Sequence, residues 1–403
     1  MSHSPRADRL TGISVHAAPP PPLGPVDPLI ACADLLSCPE CGRDLAPRAR
    51  ALCCATGHAF DIARQGYVSL LTGAATKMSG DTPGMLDARA AFQAAGHFAP
   101  IATALAEILA TGPLPAPAPP PAADRPLRPG AALTGPSATR LASTLLSETA
   151  RTRGTARADA GTPAAPPNVP AQPNVPATPN APASPNVPAP STSAAGASLA
   201  PGIVSGSRPA ATGSPAVLEI GAGTGYYLAA VLDALPWLRG IALDVSKPAA
   251  RRAARAHPRA AAILADAWRG LPVRDGSLAA VLSVFAPRNA DEVARALAPG
   301  GRFIVVTPTP RHLTELIEPL DMVRVDAAKQ DRLAESLGGR FELLDRTPVD
   351  YPMSLTHADI AAVVAMGPSA FHPADHRPAR IAQLPNPAPV TASVTISTYR
   401  PRP

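Results

Sequence analysis

The chain is short of aromatic residues: Phe, Trp and Tyr make up only 3% of its 403 positions, against 53 prolines. A large part of it is therefore not packed core, although the length allows two or more domains. Long apolar runs are also missing, and none reaches the about 18 residues of a spanning helix, which excludes a helical membrane segment and a membrane partner. The start, Met1-Ser2-His3-Ser4-Pro5-Arg6, leads into Pro19 to Pro22 without an apolar h-region, so no secretion signal is read and a cytoplasmic location is expected. Cysteine is absent beyond Cys54. All five cysteines fall between positions 32 and 54, which argues against a disulfide framework and for a metal site in a reducing compartment. Charge is sparse at 16%, and the net +6 is compatible with a polyanionic partner.

The prolines concentrate in two places. Residues 1–30 hold a Pro-rich leader with little periodicity, predicted to be disordered. From Thr111 to Ser214 there is no Phe, Trp or Tyr, and a near-hexad repeat runs through Pro167-Asn168-Val169-Pro170, Pro173-Asn174-Val175-Pro176, Pro179-Asn180-Ala181-Pro182 and Pro185-Asn186-Val187-Pro188. Such a stretch cannot bury enough apolar surface to offset about 1–2 kcal/mol of backbone entropy per residue, so 111–214 is predicted to be a disordered spacer, partly polyproline II. Ala131 to Ala150 is its one transiently helical segment.

Cys38-x2-Cys41 has the spacing of a zinc-knuckle turn, and Cys54-x3-His58 supplies a second pair. Together they predict a tetrahedral Cys3His site, closed and hence structural. Cys53 is the alternative to Cys54, with an x4 spacing, and Cys32 lies outside the pattern as a small apolar residue. Further on, Thr82 and Pro83 predict a helix that starts there and stops near Gly96. On it Met85, Leu86 and Phe92 are candidate core, and Arg89 is a candidate phosphate contact. A second helix is expected from Ile101 to Leu109.

Val217-Leu218-Glu219-Ile220-Gly221-Ala222-Gly223-Thr224-Gly225-Tyr226-Tyr227 reads as strand, glycine loop and helix start. Its glycines depart from the dinucleotide G-x-G-x-x-G spacing, and the acid-then-glycines pattern resembles the S-adenosylmethionine (SAM) loop of methyltransferases. Alternating apolar runs and amphipathic stretches follow, as βα units should. Ile241 to Leu243 is a strand ending at Asp244, whose carboxylate suits two ribose hydroxyls; a capping acid is the plainer reading. Ala262 to Leu264 is a strand followed by Asp266, placed to accept from an adenine amino group. Ala279 to Phe285 delivers Phe285, Pro287 and Asn289 to the ligand-binding edge of the sheet, where a target base is expected. A helix is predicted from Asp291 to Leu297, a stop at Pro299-Gly300-Gly301 and a strand from Arg302 to Thr307. Arg311 and His312 follow in Pro310-Arg311-His312-Leu313, and Phe341 to Leu344 and Ser393 to Tyr399 form a closing antiparallel pair.

The order Cys38-Pro39-x-Cys41, Cys54-x3-His58-x-Phe60-Asp61, Gly66-Tyr67-Val68, Gly80-Asp81, Met85-x3-Arg89 and Gly96-His97-Phe98, followed by the glycine loop, resembles the 23S rRNA (guanine-N1)-methyltransferase family, in particular its Gram-positive tylosin-resistance branch. The resemblance covers about 36–110 and 216–400. It implies an α/β, Rossmann-like SAM methyltransferase domain at 215–403, a zinc-binding RNA-recognition module at 31–72 and a helical connector at 73–110. It further implies SAM and a structural zinc ion as cofactors, 23S rRNA and a second copy of the chain as partners, and a role in macrolide resistance. The expected cofactor residues are Phe98, Glu219, Gly221, Gly223, Gly225, Tyr226, Tyr227, Asp244 and Asp266. The substrate pocket is expected from Phe285, Pro287, Asn289 and His312, the metal site from Cys38, Cys41, Cys54 and His58. His312 is the candidate for a catalytic role, and no other residue stands out for it. The family's connection between the two halves is usually short, so 111–214 is a departure. Two other readings stay open: a small-molecule methyltransferase with an accessory zinc ribbon, and a non-catalytic RNA-binding protein that keeps the fold.

Overall fold

The computed structural model describes residues 27–73, 80–117, 213–326, 329–371 and 374–402. The leader up to residue 26, Met78-Ser79, and the stretch 118–212 with its Pro-Asn repeat and the Ala131 to Ala150 segment lie outside the described residues.

The N-terminal part is too small to fold on apolar burial alone. Its short helix α1 (Pro28–Ala31) is capped by the Asp27 carboxylate, which accepts the Leu29 N–H at 2.9 Å. Strands β1 (Leu45–Arg48), β2 (Ala51–Cys54) and β3 (Ala59–Asp61) then form an antiparallel sheet in the order β1-β2-β3. Inward-facing Leu45, Leu52 and Cys54 share one core with Leu29, Leu35 and Leu36, with Leu218 and Ile241 of the larger sheet, and with Val273, which bridges to Leu36. This small sheet thus borrows its hydrophobic support from the C-terminal half.

The next strand crosses over. Strand β4 (Tyr67–Ser69) pairs in parallel with a strand far along the chain, Tyr67 facing Ala262 and Ser69 facing Leu264. Helix α2 (Pro83–Ala94) starts at the predicted place: the Thr82 hydroxyl accepts the Met85 N–H at 3.3 Å and Pro83 opens the first turn. Helix α3 (Ala99–Ala110) buries Ile101, Leu105 and Leu109.

The C-terminal half alternates as βα units do: β5 (Ala216–Ile220), α4 (Tyr226–Ala234), β6 (Arg239–Asp244), α5 (Lys247–Ala253), β7 (Ala260–Leu264), β8 (Leu278–Val284), α6 (Ala290–Ala296) and β9 (Leu297–Pro308). It closes with α7 (Thr314–Ile317), α8 (Lys329–Gly338), β10 (Phe341–Leu355), α9 (His357–Met366), α10 (Arg377–Gln383) and β11 (Ala388–Pro401). The sheet order is β10-β11-β9-β8-β5-β6-β7-β4. From β4 to β9 neighbours run parallel, whereas β11 is antiparallel to both β9 and β10. Every residue of β5, β6, β7 and β8 is buried, which is why these strands read as continuous apolar runs. The predicted stop at Pro299-Gly300-Gly301 is instead a bulge inside β9: Leu278 faces Leu297, but Ala280 already faces Arg302.

The outer edge of the sheet is β10, whose row of backbone groups is interrupted by Pro348 and Pro352 and flanked by Asp345, Arg346 and Asp350. These features keep an exposed edge from pairing with other chains. At the start of the interior strand β6, Arg239 is only 2% exposed. It ion-pairs with Asp34 at 2.6 Å and donates to the carbonyls of Ala31 and Ser214, locking α1 against the sheet. Beside it, burial pushes the Cys32 thiol up to about 12, so Cys32 stays a protonated core residue facing the Gly240 carbonyl. Among the described residues no helix is long and apolar enough to cross a membrane.

Candidate active site and metal centre

The ribbon brings Cys38, Cys41, Cys54 and His58 together, with their ligating atoms all within 4.8 Å of one another. A tetrahedral ion with bonds of about 2.3 Å to sulfur and about 2.0 Å to nitrogen sets S···S near 3.8 Å and S···N near 3.5 Å. The observed distances fit: Cys41 to Cys54 is 3.7 Å, and Cys38 and Cys54 each lie 3.5 Å from His58 Nδ1. Cys54 supplies this ligand, while Cys53 faces Ala46 and Ala59 in the sheet. The Thr56 hydroxyl stands 3.1 Å from Cys41 Sγ and 3.0 Å from Cys54 Sγ, a hydrogen-bonding support for thiolates that sequence spacing did not reveal.

A second site lies where the strand order reverses, between β5 and β8, the usual ligand crevice of an open α/β sheet. The loop after β5 turns there because Gly221 and Gly223 adopt φ of +67° and +55°, which a side chain would strain. Space forbids one at Gly221 as well, where a Cβ would lie 2.7 Å from that of Ala286; at Gly223 the nearest atom is the end of the Arg89 side chain, Nη1, 2.8 Å from such a Cβ. Gly225 and Tyr226 open α4. At the end of β6, Asp244 accepts the Gly223 N–H and the Ser246 N–H, both at 2.8 Å, so the acid fastens the loop with one lone pair on each oxygen still open for a ribose. Asp266, at the end of β7, is buried and accepts the Trp268 N–H at 3.0 Å. The Tyr227 hydroxyl is buried with no hydrogen-bond partner among the described residues, near the Glu219 carboxyl and Arg89. An orphaned hydroxyl and a backbone cradle without room for Cβ atoms fit a polar cofactor such as SAM, whose sulfonium methyl is already activated for transfer.

Glu219, 1% exposed, accepts the Leu228 N–H in the first turn of α4 at 3.1 Å. Burial pushes its carboxyl up from 4.5 to about 8, helped by the charge of Asp244 and opposed by the Leu228 hydrogen bond and Arg89. Between those two values the folded protein holds a proton that the unfolded chain has released. Stability should therefore fall as pH rises through this window, by up to about 1.4 kcal/mol per pH unit, and level off above it. Glu219→Gln keeps an oxygen for Leu228 but has nothing to titrate. Its melting temperature relative to the unaltered protein should climb from pH 5 to pH 8, as read by calorimetry; a constant difference would contradict this account.

Next to the glycine loop, three aromatic rings from separate parts of the chain converge. Phe98, from the turn between α2 and α3, lies 6.2 Å from both Phe285 and His312, and those two are 5.9 Å apart with ring planes at 27°. Phe285 is 42% exposed and sits at φ +55°, strained for a bulky residue, and Leu313 beside His312 has the same φ. Such outliers persist where the surroundings impose them, commonly at functional sites. The Ser393 N–H donates to His312 Nδ1 at 3.2 Å, so the ring proton belongs on Nε2. Burial pulls the His312 pKa down to about 4, leaving a neutral donor at physiological pH. Pro287 is exposed, whereas the Asn289 side chain caps α6 by accepting the Glu292 N–H and donates to the Trp268 carbonyl, both at 3.4 Å. Gln93 on α2, which the sequence did not single out, accepts from the Thr224 hydroxyl of the loop at 2.7 Å. Its spacing of four from Arg89, on one helix face, was the available signal.

Comparison with known proteins gives the same two halves. The RlmA N-terminal zinc-ribbon family matches residues 36–79, and the methyltransferase domain family matches 217–301. A Micromonospora griseorubida protein named as a 23S rRNA (guanine-N(1)-)-methyltransferase is 39% identical over 91% of this chain and 97% of its own length. The 23S rRNA (guanine(748)-N(1))-methyltransferase of Streptomyces fradiae is 36% identical over the same shares. With a Cys3His ribbon, a SAM crevice and this similarity along nearly the whole chain, the protein belongs to the 23S rRNA (guanine-N1)-methyltransferase family.

Proposed function

We propose that the protein transfers the methyl group of SAM to N1 of a guanine in a 23S rRNA hairpin, lowering macrolide binding to the ribosome, and that it works as a cytoplasmic homodimer. The observation that carries this reading is the ring cluster of Phe98, Phe285 and His312 beside the glycine loop, in a chain that also holds a zinc ribbon. A base unstacked from the hairpin finds an exposed aromatic face in Phe285, and stacking on such a platform contributes about 1–3 kcal/mol per base. As the new N1–CH3 bond forms, the S–CH3 bond breaks, S-adenosylhomocysteine leaves, and the guanine N1 proton passes to solvent water. His312 assists by donating from Nε2 to O6, where negative charge develops.

Two measurements test this. Primer extension on 23S rRNA from strains with and without the gene should show one reverse-transcription stop at a guanine that depends on the protein; no such difference would refute the assignment. Incorporation of labelled methyl groups should require RNA, and incorporation into small molecules alone would favour the accessory-ribbon reading. Replacing His312 with Ala should lower kcat by about a hundredfold, the usual scale for one such donor, with kcat of the unaltered enzyme showing no titration of this ring between pH 5 and 8. A kcat that fell with a histidine-like pKa near 6.5 would contradict the neutral-donor role.

A further inference from the structure

The cofactor crevice has a roof, and its residues come from the chain ahead of the catalytic half. Gly80 approaches the loop after β6 so closely that a Cβ on it would lie 2.7 Å from that of Ser246, whose hydroxyl donates to the Asp81 carbonyl at 2.7 Å. Asp81 is thereby held next to Asp244, whose pKa is raised by burial first and by the Asp81 charge besides. On α2, Arg89 ion-pairs with Asp81 and donates from Nη2 to the Met366 carbonyl at 2.9 Å. Its Nη1 covers Gly223, and one turn later Gln93 accepts from Thr224.

A guanidinium carries five N–H donors, and Asp81 and Met366 take two of them. The side chains of Arg89 and Asp81 are 25% and 20% exposed, so both remain reachable by a ligand in the crevice. With the ribose at Asp244 and the adenine toward Asp266, the remaining part of SAM extends along the glycine loop, beside Arg89. That part is an amino acid with one carboxylate and one ammonium. A fixed cation beside a fixed anion is its complement.

We propose that the Arg89–Asp81 pair recognises the amino-acid end of SAM, Arg89 donating to the α-carboxylate and Asp81 accepting from the α-ammonium. The proposal rests on SAM occupying this crevice. It makes the segment between the ribbon and residue 111 part of the cofactor site.

Titration calorimetry on the full-length, zinc-loaded protein tests it with three ligands. S-adenosylhomocysteine has both charged groups, its decarboxylated counterpart keeps only the ammonium, and methylthioadenosine has neither. Arg89→Gln should weaken S-adenosylhomocysteine about tenfold or more and the other two less than about twofold, the scale of one charge-assisted hydrogen bond. Asp81→Asn should weaken the first two ligands alike and spare methylthioadenosine. Arg89→Lys, which keeps a charge near the loop, serves if Arg89→Gln does not fold and should lose affinity for S-adenosylhomocysteine alone. Uniform weakening of all three ligands, as a purely structural latch between α2 and the loop would give, or no weakening at all, overturns the proposal while the cofactor assignment stands. Failure of the unaltered protein to bind S-adenosylhomocysteine overturns both.

Discussion

Removing zinc from the protein is expected to lower methylation of the proposed RNA substrate by at least about a hundredfold while leaving S-adenosylhomocysteine affinity within a few fold, because structural zinc contributes about 10–16 kcal/mol to folding in modules of this kind. The strands of the ribbon are only three or four residues long, and its inward side chains Leu45, Leu52 and Cys54 reach a core mostly supplied by the larger sheet. Without the ion, three thiols and an imidazole within 4.8 Å of one another lose the one partner that makes this proximity favourable. The cofactor loop stands on other supports: β5, β6 and their neighbours, with α2 above. Zinc release can be followed with a coloured chelator while methylation and ligand affinity are measured on the same sample. Metal-free protein that methylates RNA at the full rate would remove the ribbon from the functional account, and equal loss of both activities would mean that the two halves unfold together.

Asp244→Ala should be the most damaging single change in the crevice, with S-adenosylhomocysteine affinity reduced at least about a hundredfold, since each buried N–H left without an acceptor costs about 1–3 kcal/mol. The carboxylate is 7% exposed and accepts two backbone N–H groups, one on each side of the cofactor position. Its removal orphans the Gly223 and Ser246 N–H groups and takes away the acceptors expected for the ribose. Asp244→Asn should be little better, because its amide nitrogen must face one of the two N–H donors. Calorimetry with circular dichroism as a check on folding reads both effects. Near-native affinity in either variant would relocate the ribose.

Much of this was legible in the sequence because the signals are local. Cys38-x2-Cys41 and Cys54-x3-His58 are turns that aim their own side chains, and the runs ending at Glu219, Asp244 and Asp266 place an acid at a strand tip whatever the rest of the chain does. Cys54 was preferred over Cys53 for its x3 spacing to His58, and Cys54 is the one in the cluster. What local pattern could not convey was pairing across the chain. Nothing in Tyr67-Val68-Ser69 indicates that it will lie beside Ala262 to Leu264, since a parallel strand has no partner encoded nearby. Arg89 read as a phosphate contact on a helix face, and only the packing of α2 against the glycine loop brings it over Gly223. Asn289 was expected in the substrate pocket from its place after β8; Asn289 followed by Glu292 is also the spacing of a helix start, and the side chain caps α6.

The pairing of β4 with β7 also sets an order of events as the chain leaves the ribosome. The ribbon's strand pairing and its four ligands are short-range, so they can meet a metal once residue 61 has emerged, while Leu45 and Leu52 wait for the core they share with the larger sheet. Strand β4 and the apolar faces of α2 and α3 have no such option: their partners lie in β7, α9 and α4 respectively, and translation at about 5–20 residues per second must first traverse everything up to Ala262, and for α2 up to Met366. During that interval the residues that will roof the cofactor, Arg89 and Gln93 among them, are tethered to a folded metal module with nothing beneath them. Contacts of such high sequence separation form late. Zinc is therefore loaded early in the life of the chain, and the crevice for SAM is among the last parts of the molecule to exist.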